Sequence, residues 1–240
     1  MKLLRYIRPM ADRLTRTTIG ASCAVVGGAA ANLYLGRLEE IRDIDVKVCI
    51  PDMKQHDEVV ETLVTFLARV LARPDIAKSV GPYPTVPGPV LDSAFSIESS
   101  DANERYSMPL REGPFNLLVL PHDVRDTQTR ILVRGRYPIG TLPKRYPNAV
   151  QEYKYMEFLD ITIPHAGCMR PIPVTLVKGV PVLALHDLVR EQIVLLESPE
   201  FRNGGRRHAE YESKKRRLIE LTGLLTMPLS SPTERRVLRL

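Results

Sequence analysis

Tryptophan is missing from the chain, and aromatic residues make up only 6% of it. Aliphatic side chains must therefore do most of the packing. Cysteine is scarce as well: Cys23, Cys49 and Cys168 are an odd count with no Cys-x-x-Cys pair. That argues against structural zinc and a disulfide framework, and it fits a reducing, cytoplasmic setting. Cys23 and Cys49 flank apolar runs and read as small buried hydrophobes. No stretch reaches the roughly 18 apolar residues of a membrane span. The apolar stretch Ser22–Leu35 is broken by Gly27, Gly28 and Asn32, and it lies too far from Met1 and Lys2 to be a signal peptide. The basic opening, 1–16 with Asp12 as its one acid, reads as an amphipathic first helix in preference to a mitochondrial presequence.

The 240 residues fit one large domain or two small ones, and 44% hydrophobic with 26% charged residues is ordinary for a globular chain. The charge is unevenly placed. Residues 202–240 hold ten Lys/Arg against four Glu, whereas the rest balances at 24 against 24, so the whole formal excess of +6 is C-terminal. Either a polyanion such as single-stranded RNA binds there, or a helix presents a solvated basic face.

Periodicity predicts a helix over 3–14 interrupted at Pro9, a strand over 21–26, a Gly27-Gly28 turn and a helix over 29–40. Residues 41–50 alternate, with Asp43, Asp45 and Lys47 on one parity and Ile44, Val46 and Val48 on the other, as in a strand with one apolar face. A helix follows over 55–73, then a Pro/Gly loop over 81–89 and an unreadable stretch over 93–113. Strands are expected over 115–120 and 130–134, with a loop over 135–148. A strand over 156–163 carries Asp160, short extended pieces cover 173–177 and 180–183, and helices cover 185–197 and 210–225. This order is α+β: a small mixed sheet flanked by helices. Residues 1–165 are expected to be a catalytic core and 166–240 a mostly helical region with a basic helix.

Asp43 and Asp45, two apart on a strand, would leave one face about 7 Å apart along the backbone. Such carboxylates repel unless a cation sits between them, and Mg2+ or Mn2+ suits carboxylate oxygen. A glycine pair before a helix lets backbone approach a phosphate, and the helix N-terminus offers it free N–H groups. One strand–turn–helix–strand unit therefore pairs a phosphate cradle with a metal site.

Val25-Val-Gly-Gly-Ala-Ala-Ala-Asn32 followed by Asp43-Ile-Asp-Val46 resembles the signature of the DNA polymerase β-like nucleotidyltransferase superfamily. The later run Phe158-Leu-Asp-Ile-Thr-Ile-Pro164 is similar to that group's third-carboxylate strand. The small-residue helix start and basic C-terminus are also similar to viral poly(A) polymerases. The resemblance spans about residues 20–165. It implies catalytic, metal-holding roles for Asp43, Asp45 and Asp160, with Asp160 also helping to deprotonate an acceptor hydroxyl. It implies phosphate contacts from Gly27 and Gly28. The chain departs from the pattern in lacking Ser after Gly27, where Asn32 could substitute. A second departure is the gap: fourteen residues separate Gly28 from Asp43, slightly more than the group's usual spacing, so the intervening helix or turn is longer. Lys47, on the aspartate face, could meet phosphate or pair with an aspartate.

Lys215 or Arg216 of the basic helix could supply a cation to the triphosphate. Capping is expected of Asp187, a surface-loop position of His165, and strand packing, against base stacking, of Tyr153 and Tyr155. The expected reaction is transfer of a nucleoside monophosphate from an NTP, ATP first, to an acceptor hydroxyl, with an RNA 3′ end as first choice and no template. Nucleotidylation of a protein or small molecule, and an inactive scaffold that keeps the fold, are the alternatives. A homo-oligomer is compatible with the sequence, though no residue pattern points to one.

Overall fold

The computed structural model of the chain describes residues 2–41, 43–77, 96–100, 103–109, 115–123, 127–138, 153–168, 170–198 and 208–226. The predicted loop 81–89, the loop from 139 onward and the tail after 230 lie outside the described residues, as do Arg206 and Arg207.

After a 3-10 turn, Lys2–Tyr6, helix α1 spans Ile7–Thr17 and buries Ile7, Met10 and Leu14 on one stripe. Pro9 does not interrupt it. It falls in the first turn, where an N–H has no intrahelical partner to lose. Strand β1 (Ser22–Val26) leads directly into α2 (Gly27–Tyr34), so the helix begins on the glycine pair itself. It stops short of the expected residue 40 because Gly36, at φ +75°, closes it. The amide of Arg37 then reaches back to the Asn32 carbonyl at 2.8 Å, and a separate 3-10 turn forms at Leu38–Glu40.

β2 (Ile44–Cys49) buries Ile44, Val46 and Val48 on one face. α3 (His56–Leu71) contributes Val59, Leu63, Leu67, Val70 and Leu71 to the same core, and the short α4 (Pro74–Ala77) follows. The unreadable stretch contains two strands, β3 (Ser96–Ser100) and β4 (Asn103–Pro109). β5 (Phe115–Asp123), β6 (Gln128–Pro138) and β7 (Tyr153–Pro164) run longer than their apolar patterns suggest. β6 takes the first residues of the expected 135–148 loop because Gly135 to Pro138 pair with Met156 to Tyr153. A β8–β9 hairpin (Val174–Val177, Val180–Leu183) precedes α5 (Leu185–Glu197) and α6 (His208–Thr226).

The fold is α+β. Among the described residues the sheet has nine strands in the order β3-β4-β5-β6-β7-β2-β1-β9-β8. β9 pairs with β1, so one sheet continues across the expected boundary at 165. α1 and α3 pack together over the face carrying Ile44, Val46, Ile131 and Val133, while α2, α5 and α6 gather on the other. Among the described residues, no helix is long and apolar enough to cross a membrane.

Leu63 is fully buried at the centre of α3, whereas Ile219 on α6 is 64% exposed. Leu63→Ala should lower unfolding free energy by about 2–5 kcal/mol, and Ile219→Ala should stay within about 0.5 kcal/mol of wild type. Urea denaturation midpoints of the two variants check the core assignment.

Candidate active site

Strand register builds the site. β2 runs parallel to β7, and Asp45 stands directly opposite Asp160. Val26, the last residue of β1, is the antiparallel partner of Asp45 on the other side. Leu132 of β6 partners Asp160. Val26, Asp45, Asp160 and Leu132 thus form one row across four strands, with neighbouring strands about 4.8 Å apart. Ile44 and Val46, and Leu159 and Ile161, are buried on the opposite face. Alternation leaves the two carboxylates nowhere else to point.

Burial is the main reason the Asp45 carboxyl is pushed up, from its ordinary 3.8 to about 6. The negative charges of Asp43 and Asp160 raise it further, while Lys214 and Arg130 oppose the shift. Asp43 is not a strand residue as the alternation suggested. It lies just ahead of β2 and is exposed, because pairing begins only at Ile44. It acts on Asp45 through charge from the rim.

Asp160 is held by a cation from the neighbouring strand. Arg130 Nη2 donates to its Oδ2 at 2.5 Å and Nε to its Oδ1 at 3.3 Å, a two-pronged contact with little freedom. Glu157 lies 4.0 Å from the same guanidinium and is itself bound by Arg134 at 2.7 Å.

The glycine pair sits over this row. Gly27 has φ +64°, and a Cβ there would stand 2.8 Å from Asp45 Oδ2. Both the backbone conformation and the carboxylate therefore demand glycine. The N-cap residue of α2, Val26, makes no side-chain cap bond to the first turn. A Cβ on Gly28 would meet Arg217 Nη1 at 3.1 Å. This accounts for the missing serine: the space at residue 28 lies against a guanidinium from α6, which brings a cation where a hydroxyl was expected.

Lys214 and Arg217 are three apart and share one side of α6, one turn before the Leu218 and Leu221 stripe that packs it. The expected Lys215 is exposed and lies 5.8 Å from the Tyr211 ring, on a different side of the helix. The side of α6 that meets Gly28 and acts on Asp45 therefore carries Arg217 and Lys214. Counting back one turn from Leu218 and Leu221 would have found Lys214 and Arg217. Lys47 is on the Asp45 face but pairs with Glu191 of α5 at 3.4 Å, not with an aspartate. Asn32 is buried within α2, at 3% exposure, and its Oδ1 has no hydrogen-bond partner. His165 joins a Thr129–His56 chain at 2.9 Å and 3.0 Å on the α3 side of the sheet, away from the carboxylates. Asp187 does not cap α5. Ala184 holds that position, and Asp187 lies in the first turn, where it complements the helix dipole. The side chains of Tyr153 and Tyr155 lie outside those described.

The donor set fits a hard divalent cation. Asp45, largely buried and facing the charges of Asp43 and Asp160, would be relieved by positive charge, and Mg2+ characteristically takes only one or two protein carboxylates with waters and substrate phosphates. Among the described residues, no group of three acidic, histidine or cysteine donors is already gathered into a cluster.

The raised Asp45 group makes the metal-free fold pH-dependent. Between about pH 4 and 6 the folded state holds a proton that the unfolded chain has released, so this contribution is complete at the low end and lost as pH rises through about 6. Asp45→Asn should therefore stabilise metal-free protein at pH 7.5 by up to about 3 kcal/mol, at roughly 1.4 kcal/mol per pH unit, and leave it little changed at pH 4. Thermal unfolding in a chelator at the two pH values measures it.

No protein family, curated protein or solved structure matches the chain.

Proposed function

We propose that the protein is a metal-dependent nucleotidyltransferase that moves a nucleoside monophosphate from an NTP, ATP by first choice, to an acceptor hydroxyl and releases pyrophosphate. The observation carrying this reading is the opposition of Asp45 and Asp160 beneath the Gly27–Gly28 turn, with Lys214 and Arg217 brought over it by α6. Carboxylates for a metal, backbone amides for a phosphate and cations for a polyanion meet at one place. Phosphoryl transfer needs that combination, and few other reactions do.

Asp43 and Asp45 would hold Mg2+ or Mn2+, which supplies Lewis acidity at the transferred phosphorus and charge neutralisation at the leaving oxygens. Gly27 and Gly28 present the first amides of α2 to the terminal phosphates. Arg217 and Lys214 neutralise the triphosphate from above. Asp160, which Arg130 holds in place, would accept the proton of the acceptor hydroxyl. An RNA 3′ end fits the basic C-terminal region, and acceptors on a protein or small molecule are distinguished by where label goes.

The Arg130–Asp160 pair also favours a second reading, a scaffold that keeps the fold with its third carboxylate neutralised. Labelled NTPs with Mg2+ or Mn2+ and a short single-stranded RNA separate the two. Wild type should extend the RNA. Asp43→Ala/Asp45→Ala should lose at least about 1000-fold in rate, as removal of a metal site does. Lys214→Ala/Arg217→Ala should raise KM for NTP by about 10–100-fold, the worth of charge-assisted hydrogen bonds. Label moving to protein or a small molecule changes the acceptor and keeps the chemistry. No labelling at all, together with no thermal shift by NTP and Mg2+, rejects catalysis in favour of the scaffold.

A further inference from the structure

The outward face of β2 carries one more chemically active group. Cys49 follows Asp45 and Lys47 on the same parity, two residues past the lysine, and its thiol donates to the Arg170 carbonyl at 3.2 Å. The segment after β7 is laid against this end of the sheet by two more bonds. The amide of Cys168 donates to the Ile50 carbonyl at 3.0 Å, and the amide of Ile172 donates to Ser22 Oγ at 2.9 Å. Gly167 makes the approach possible: a Cβ there would lie 3.1 Å from the Pro51 carbonyl oxygen. The backbone at 168 is thus held beside residue 50, and the Cys49 thiol is bonded to the carbonyl two residues further on, so both cysteines lie at one crossing of the chain. Both cysteines are free thiols. Cys23 pairs with Val48, on the opposite parity of the sheet, and is no partner for either.

We propose that Cys49 and Cys168 are a reversible dithiol–disulfide pair that latches the segment following β7 onto β2, oxidised by a low-molecular-weight disulfide. Their accessibility sets the order of events. Cys49 is buried at 1% exposure, whereas Cys168 is half-buried and open to a reagent. The Cys168 thiolate attacks one sulfur of the oxidant, forms a mixed disulfide and expels one thiolate. Cys49, as thiolate, then attacks the Cys168 sulfur and expels the second. Two electrons pass from the cysteine pair to the oxidant, and the two cysteine protons end on its two thiols. Burial pushes the Cys49 thiol up to about 12.

The latch closes a loop of more than 100 residues and ties the two strands bearing Asp45 and Asp160 at one end. The test uses the full chain, reduced and then exposed to oxidised glutathione, quenched with an alkylating agent and digested with trypsin. The expected product joins peptide 48–54 to peptide 155–178 through Cys49 and Cys168, leaves Cys23 to be alkylated after denaturation, and raises Tm by roughly 5 °C or more. Cys49→Ser should stop at a single glutathionyl group on Cys168, and Cys168→Ser should take up none at Cys49. Wild type that stays glutathionylated at Cys168, cross-links through Cys23, or keeps both thiols under the oxidant while Cys168 is freely alkylated would overturn the proposal. Because the peptide map is read on wild type, the outcome does not depend on the variants folding or on nucleotidyl transfer.

Discussion

Parallel pairing of β2 with β7 puts two carboxylates opposite each other on a largely buried face, and most of the local structure answers that constraint. The register is locked from behind. Ile44, Val46 and Val48 on one strand and Leu159, Ile161 and Ile163 on the other are all buried, so a slip of one residue would drive Asp45 or Asp160 into the apolar core. The hydrophobic face therefore fixes Asp45 where burial first, and the charges of Asp43 and Asp160 second, push its carboxyl up. Hydrophobic burial is non-specific in energy, but here it has a specific geometric product.

Positive charge reaches the carboxylates from two directions. Arg130 comes from the neighbouring strand within the sheet and grips Asp160 with two nitrogens. Lys214 and Arg217 come from α6, whose place on α5 and α2 depends on Leu221 being buried and Leu218 partly so. The cost of desolvating an anion is offset by cations only if they are held, and both sets are held by packing elsewhere. This is why a helix some 170 residues further along the chain from Asp45 belongs to the same site.

Segments that the sequence made legible are those whose residues obey one period without interference. The Asp45 and Asp160 strands alternate and α5 has helical spacing, while β1, the start of α2 and β9 stand out as short buried runs bounded by breakers. β3 and β4 did not, because Ser96–Ser100 and Asn103–Pro109 are polar and lack an apolar parity. Asp43 was placed in the strand because a parity pattern does not reveal where hydrogen bonding starts. The two thiols and Arg130 were illegible for another reason: their meaning lies in strand register and chain crossing, which brings residue 168 to residue 50 and residue 130 to residue 160. A helix, by contrast, carries its own register. Lys214 and Arg217 could have been chosen over Lys215 by counting one turn back from the leucines.

β2 is the element through which these parts are coupled. Its inward residues are interchangeable in kind, being small apolar groups that hold the register. Its outward residues are not, and each is tied to a different segment. Asp45 lies against Gly27 at the start of α2 and feels Lys214 of α6, Lys47 pairs with Glu191 of α5, and Cys49 bonds the segment after β7. Three residues spaced two apart, about 6.8 Å per step, therefore join the glycine turn, the covering helices and the loop that follows the Asp160 strand. A lateral displacement of β2 would be felt in all of them together. Alternation along a single six-residue strand thus separates stability from chemistry by face, and places the chemistry where several segments converge on it.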